Sequence, residues 1–396
     1  MERLKRLSLE AVRRVPVEFK RFLLDEIDTS MQMIGITGAR GSGKTILLLQ
    51  LMKKLPEKNG AMYISLDDIY FSENKLIYFA EDFHAHGGKF LFIDEVHKYP
   101  GWSQELKNIY DNFPDLKIIF TASSALDIYK GAYDLSRRAM VYYLPGLSFR
   151  EFIELKHKIV LPKFTLKDIL NSDDKVYTDL LNKIKPLPLF DEYIKTGYFP
   201  FFINAGKNYS KLLLNTVNLI IENDLPAIYN IDFNSAIKLK RLLSIISDLV
   251  PFKPNIEKLA KQINISRDTL LKYLLYLDKA HILSRLYRDT KGISQLNKPQ
   301  KIYLNNTNLA YALSENVPDT GNVRETFFHN QLSVNHTLTY PDKGDFIIDG
   351  KYTFEIGGKT KTKKQIAGLE NSFIAADNIE YRYENKIPLW MFGLMY

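Results

Sequence analysis

"MQMIGITGARGSGKTILLLQLMKKL", residues 31–55, changes character twice. The apolar run from Met31 to Thr37 predicts a buried strand. Gly38-Ala39-Arg40-Gly41-Ser42-Gly43-Lys44-Thr45 then fits the pattern G-x-x-x-x-G-K-[ST], and the apolar series from Ile46 to Met52 predicts a helix. Strand, glycine-rich loop and helix in that order form the context in which this motif holds nucleotide phosphates. Glycine at 38, 41 and 43 lets the backbone turn its N–H groups inward around phosphate oxygens. The N-terminus of the following helix adds partial positive charge at the same point. Lys44 supplies a charge for the β- and γ-phosphates, and the Thr45 hydroxyl is a ligand for Mg²⁺.

Working outward, "KFLFIDEVHKYPGW", residues 89–102, predicts a second buried strand that stops at Asp94-Glu95. Parallel strands covered on both faces read as continuous apolar runs, and their ligands sit at the carboxyl ends. Asp94 is then placed for the magnesium shell and Glu95 for polarising an attacking water. A third run, "LKIIFTASS" (116–124), ends in Thr121, Ser123 and Ser124. Ser123 is the choice for touching the γ-phosphate or the water, although hydroxyls at strand ends also cap helices. "DLSRRAMVYYLPGLSFREF" (134–152) offers Arg137 and Arg138 just before another strand. An arginine there neutralises transition-state charge, in cis or from a neighbouring subunit, or else makes a surface salt bridge. ATP is favoured over GTP, because the Asn297-Lys298 pair lacks the aspartate of a guanine-reading motif.

"GARGSGKT", "LFIDEVHKYPGW", "IIFTASSALDIY" and "DLSRRAMVYYLPGLSFREF" together resemble AAA-type P-loop ATPases of archaea and bacteria that carry a C-terminal domain of unknown function. The resemblance implies an α/β fold, a parallel-sheet P-loop NTPase, with ATP and Mg²⁺ as cofactors. It implies that Gly38–Thr45 is the Walker A loop, that Asp94 and Glu95 form Walker B, and that Ser123 is sensor 1. The family's arginine ends a Ser-Leu-Ala-Gly-Arg-like segment; here the segment reads Asp134-Leu-Ser-Arg-Arg138, leaving Arg137 or Arg138 for that role. Arginines acting in trans imply rings or dimers.

The bulk numbers set the frame. At 396 residues the chain is long for one core, and two to four domains is the expectation. Having no cysteine excludes disulfides and cysteine-ligated metals. No apolar run approaches the ~18–20 residues that cross a bilayer, and the acids in "MERLKRLSLEAVRRVPVEFKRFLLDEI" argue against a secretory signal. These features predict a cytoplasmic protein with no membrane partner. A net charge of +8 permits contact with a polyanion.

The expected organisation is an ATPase domain over 1–150, a helical lid or linker over 151–206, a winged-helix domain over 207–295 and a restriction-endonuclease-like α/β domain over 296–396. The winged-helix reading rests on "NIEKLAKQINISRDTLLKYLLYLDKAHILSRLYR" (255–288): a short helix, a turn, a longer helix capped by Ser266, then a strand pair. Its second helix would offer Arg267 and Lys272 to DNA. Between 250 and 301 there are eleven Lys or Arg against four Asp or Glu, which favours such contact; the many leucines of that helix favour an internal or protein-binding role instead.

In the last segment Glu325 lies on a predicted helix, and Asp345 and Glu355 lie on strands joined by a tight Asp349-Gly350 turn. That spacing is the one a nuclease core uses to hold a divalent metal. The lysine expected two residues after Glu355 is replaced by Gly357, with Lys359 as the candidate to reach back, so the domain reads as a vestigial nuclease. Lysines 359, 361, 363 and 364 read as a solvated basic edge. The expectation is therefore a Mg²⁺-dependent ATPase that passes nucleotide state to domains engaging DNA or a protein. The alternatives are a nucleotide-gated nuclease and an ATP-binding switch with negligible turnover.

Overall fold

A computed structural model of the chain describes residues 1–55, 60–122, 135–288 and 298–396. It separates into two compact units, Met1–Gly146 and Leu147–Tyr396.

In the first unit the four predicted strands are present, and one more, over 61–65, joins them. β1 (Met33–Thr37), β2 (Ala61–Ser65), β3 (Phe90–Asp94), β4 (Lys117–Thr121) and β5 (Met140–Tyr143) form one sheet in the order β2-β3-β4-β1-β5. Every neighbouring pair is parallel. Both faces are covered, as the apolar runs require. Met33, Ile93, Ile118 and Phe120 pack into one core layer, and Ile34, Ile36, Phe92 and Ile119 into the other, with Leu47, Leu48 and Leu51 of the helix after the loop. Gly35 has a packing reason: a Cβ there would lie 2.8 Å from the Phe120 ring. Because all five strands run the same way, the ends of β1, β3 and β4 share one edge, and the start of β5 lies at the opposite edge.

The second unit is mostly helical, with two small sheets. The helix Ile256–Gln262 leads through Asn264, held at φ 53°, into the helix Arg267–Lys279. Ser266 caps that helix, its Oγ accepting from Thr269 N–H at 3.1 Å. β6 (Leu283–Leu286) then pairs antiparallel with β7 (Lys301–Leu304), so this ladder bridges positions 295 and 296. The other sheet has the order β12-β11-β10-β9-β8. It comprises β8 (Leu338–Thr339), β9 (Phe346–Ile348), β10 (Tyr352–Gly357), β11 (Ser372–Ala376) and β12 (Lys386–Pro388). β9 and β10 form the expected hairpin: Asp349 and Gly350 both take positive φ, and Lys351 N–H donates to Ile348 O at 2.9 Å.

Polar contacts knit distant parts of this unit together. Ser148 Oγ and Arg150 Nε donate to Tyr396 O at 2.6 and 3.0 Å, and Arg382 Nη1 donates to Leu170 O at 2.5 Å. Inside, Asn308 accepts from Tyr198 N–H at 2.8 Å and donates to Ile194 O at 2.9 Å, while Gln331 donates to Tyr193 Oη at 3.0 Å. Displacing a donor of this buried network would leave its acceptors unpaired, although Gln331 Oε1 itself has no partner among the described residues.

Candidate nucleotide site

The loop between β1 and the helix Lys44–Lys54 is built as its glycines predict. Gly41 and Gly43 have φ of 85° and 98°, and a Cβ on Gly38 would lie 2.2 Å from Leu144 O. Lys44 is buried, its Nζ donating to Gly38 O at 2.9 Å and Ala39 O at 3.0 Å. Ala39 is buried, and Arg40 lies at the loop's half-exposed tip. The Ser42 hydroxyl is fully buried and has no partner among the described residues.

Asp94 gathers three hydroxyls from three elements. Thr45 Oγ1 donates to Asp94 Oδ2 at 2.8 Å, Tyr63 Oη donates to the same oxygen at 3.0 Å, and Thr121 Oγ1 donates to Oδ1. Thr121 also accepts from the Glu95 N–H at 3.0 Å, so one hydroxyl holds both acidic residues. Glu95 sits in the left-handed region at φ 55°, where the chain turns off the strand. Burial raises its pKa, opposed by the cations of Lys44, Arg40 and Lys98 and reinforced by Asp94. Burial also raises the Tyr63 phenol, with Asp94 adding to the effect.

Sequence reasoning missed Arg21. Its buried guanidinium donates to Ser42 O at 2.6 Å, Pro145 O at 2.8 Å and Gly146 O at 2.9 Å, clamping the loop to the chain that follows β5. It also missed Tyr63 and Thr121 as partners of Asp94. Ser123, the sensor candidate, lies outside the described residues. Arg138 is not beside the loop. It precedes Met140 at the edge of the sheet opposite the loop, where its Nε pairs with Asp111 Oδ1 at 2.8 Å. The cis role is thereby excluded by position, and the surface salt bridge is what the structure shows.

In the second unit Asp345 lies near both Glu325 and Glu355: burial raises the pKa of each glutamate, and the charge of Asp345 adds to the effect. They are not left open for a cation. Lys301 pairs with Glu325, which also accepts from Tyr303 Oη at 3.1 Å. Lys361 pairs with Glu355 at 2.5 Å, and Asp345 accepts from Ile356 N–H at 2.8 Å. Among the described residues no group of three or more His, Cys, Asp or Glu is arranged to hold a metal ion. Two expectations change here. Lys361, not Lys359, reaches back to Glu355, and it belongs to this cluster rather than to a solvated edge. Lys359 is exposed, and its carbonyl accepts from Lys386 Nζ at 2.9 Å.

A five-stranded parallel sheet, a glycine loop with its lysine, and a strand-end aspartate bonded to Thr45 make up a P-loop nucleotide-binding domain. Residues 30–153 match the family described as an AAA domain, and residues 187–320 match a domain of unknown function, DUF8612. Over 369 residues the chain is 27% identical to the uncharacterized protein MJ1637 of Methanocaldococcus jannaschii, covering 85% of this chain and 77% of that one. Among solved structures it is similar to the Walker-type ATPase PABY2304 of Pyrococcus abyssi, at 15% identity and a TM-score of 0.47, over 77% of this chain and 94% of that one. A further similarity is to AMPPCP-bound DnaA of Aquifex aeolicus, at 15% identity and a TM-score of 0.29, over 69% and 88% of the two chains. Among the described residues no helix is long and apolar enough to cross a membrane.

Proposed function

We propose that the first unit hydrolyses ATP with Mg²⁺ and that the second carries the nucleotide state to DNA or to a protein partner. The observation that supports this best is the hydrogen-bonded chain Thr45–Asp94–Thr121–Glu95 beside the glycine loop. The residues fit a magnesium nucleotide: the loop has the turned backbone, Ser42 has a buried hydroxyl without a partner, and Thr45 and Asp94 are the oxygen donors a hard cation takes. Lys44 exchanges the Gly38 and Ala39 carbonyls for the β- and γ-phosphates. Thr45 and Asp94 would hold Mg²⁺, which would offset charge on the phosphate oxygens. Glu95 orients the attacking water and draws on its proton; burial makes it more basic than an exposed glutamate.

The test is phosphate release from Mg²⁺-ATP. Glu95→Gln should lose about a hundredfold or more in rate while still binding ATP. No release by the natural protein, and no loss in the variant, would sink the reading. An ATP-binding switch without turnover gives that result, and Glu95 is the residue such a switch does not need.

For transition-state charge we place Arg137 or Arg138 in a neighbouring copy, because Arg138 lies across the sheet from its own loop. Mixing Lys44→Ala with Arg138→Ala should then restore part of the activity each lacks alone. For DNA we read 207–295 as a winged-helix domain whose exposed Arg267 and Lys272 would face phosphate. Binding should weaken steeply with salt, and further in Lys272→Ala. A salt-independent partner points to protein instead. Nuclease chemistry is outside the reading, since lysines already neutralise Glu325 and Glu355. Plasmid cleavage with Mg²⁺ or Mn²⁺ that Asp345→Ala abolishes would reverse that.

A further inference from the structure

Beyond Asp94 the chain does not simply leave the sheet. Glu95 is left-handed, and a single 3-10 turn, Val96–Lys98, follows, closed by Lys98 N–H donating to Glu95 O at 2.9 Å. This turn returns the side chain of residue 97 to the side occupied by residue 95. His97 Nε2 comes to 3.3 Å from Glu95 Oε2. The imidazole approaches from the protein interior, its side chain only 5% exposed, against 27% for Glu95. Burial, and then the cations of Lys98, Lys44 and Arg40, lower the His97 pKa to about 3, so the ring is neutral throughout the physiological range.

Charge type decides what such a neighbour does to a base. A lysine or arginine at 3.3 Å would neutralise the carboxylate and weaken its hold on a water proton. A neutral ring N–H restrains one carboxylate oxygen while the charge stays on the carboxylate. The backbone assists, because Thr121 fixes the Glu95 N–H at 3.0 Å. Main chain and side chain of the same residue are thus held from two directions.

We infer that His97 is a positioning residue for Glu95, restraining Oε2 so that the other carboxylate oxygen meets the attacking water. The inference rests on the ATPase reading above. The positioning matters because a misplacement of about 1 Å costs on the order of a hundredfold in rate. The signal in the sequence is the spacing Glu95-Val96-His97 directly after a strand-end aspartate, which becomes legible only once the left-handed turn is known.

The test compares His97→Leu, which removes the ring nitrogen, with His97→Gln, whose amide nitrogen reaches about as far as Nε2. With saturating Mg²⁺-ATP, His97→Leu should lower kcat about tenfold or more with KM and the affinity for a fluorescent ATP analogue unchanged. His97→Gln should recover most of that loss. Equal kcat in His97→Leu and the natural protein overturns the inference while leaving the ATPase reading intact. Equal losses in both variants also overturn it, since they mark a packing role. If His97→Leu fails to fold, His97→Asn takes its place, being too short to reach; parity of Asn with Gln overturns the inference. Absence of phosphate release from the natural protein overturns the underlying reading and this inference with it.

Discussion

Lys361 lies across Gly357 and ends on the carboxylate of Glu355, Nζ to Oε1 at 2.5 Å. A Cβ on residue 357 would stand 2.6 Å from Lys361 Cγ and 2.7 Å from its Cβ. The missing side chain at 357 is therefore the space through which the lysine passes. Glu355 is 1% exposed, and burial raises its pKa against the pull of Lys361. Gln365 completes the cage: with its amide nitrogen turned inward it lies 2.8 and 3.1 Å from the two Glu355 oxygens.

Gly357→Ala should cost about 1–3 kcal/mol of stability by crowding the lysine stem. Lys361→Met should cost about 3 kcal/mol by leaving Glu355 buried without its partner. Because both act on one contact, the double variant should lose clearly less than the sum, which urea denaturation of the four proteins measures. Strict additivity would show that crowding at residue 357 leaves the Lys361–Glu355 pair in place.

A pH prediction follows from His329. Its ring stacks on Tyr303 at 4.9 Å, its Nδ1 has no partner among the described residues, and burial lowers its pKa to about 4. A histidine with a depressed folded pKa contributes stability above its ordinary value near 6.5, and that contribution is lost as pH falls toward 4. Glu325 and Glu355, with raised pKa values, act in the opposite sense: their contribution is present at low pH and lost as pH rises through the folded values. His329→Phe keeps the ring and removes the proton site. Relative to the natural protein it should gain on the order of 3 kcal/mol between pH 7 and pH 4. Parallel urea midpoints for the two proteins across that range would refute the assignment.

Arg21 should not tolerate lysine. A lysine keeps the charge but not the planar fork that reaches three carbonyls. Arg21→Lys is expected to fold and to bind ATP about tenfold more weakly, the equivalent of one lost hydrogen bond in loop alignment. Unchanged affinity for a fluorescent ATP analogue would confine Arg21 to stability alone.

How much of this was legible in the sequence differs by residue. Lys44, Thr45, Asp94 and Glu95 were readable because each sits at a fixed offset from an apolar run, and parallel strands bring such ends to one edge. The Asp349-Gly350 hairpin and the Ser266 cap were readable because turn and cap chemistry is local. Arg21 was not, since Arg13, Arg14, Lys20 and Arg21 look alike until tertiary packing buries one of them. Tyr63 and Thr121 reach Asp94 only through the order in which strands pair, and periodicity carries no strand order. Arg138 fitted a finger in cis, a finger in trans and a salt bridge alike; the direction of β5 bears only on the first. Lys361 was hidden because its offset from Glu355 is set by the path of a loop rather than by the pleat.

The clamp made by Arg21 also has a consequence at the unit boundary. Gly146 is the last residue of the first unit, and its carbonyl and that of Ser42 are held by the same guanidinium. The peptide that leaves the ATPase thus starts from an anchor shared with the phosphate loop. The Arg21 guanidinium therefore ties Ser42 O of the phosphate loop directly to Gly146 O, one residue before Leu147.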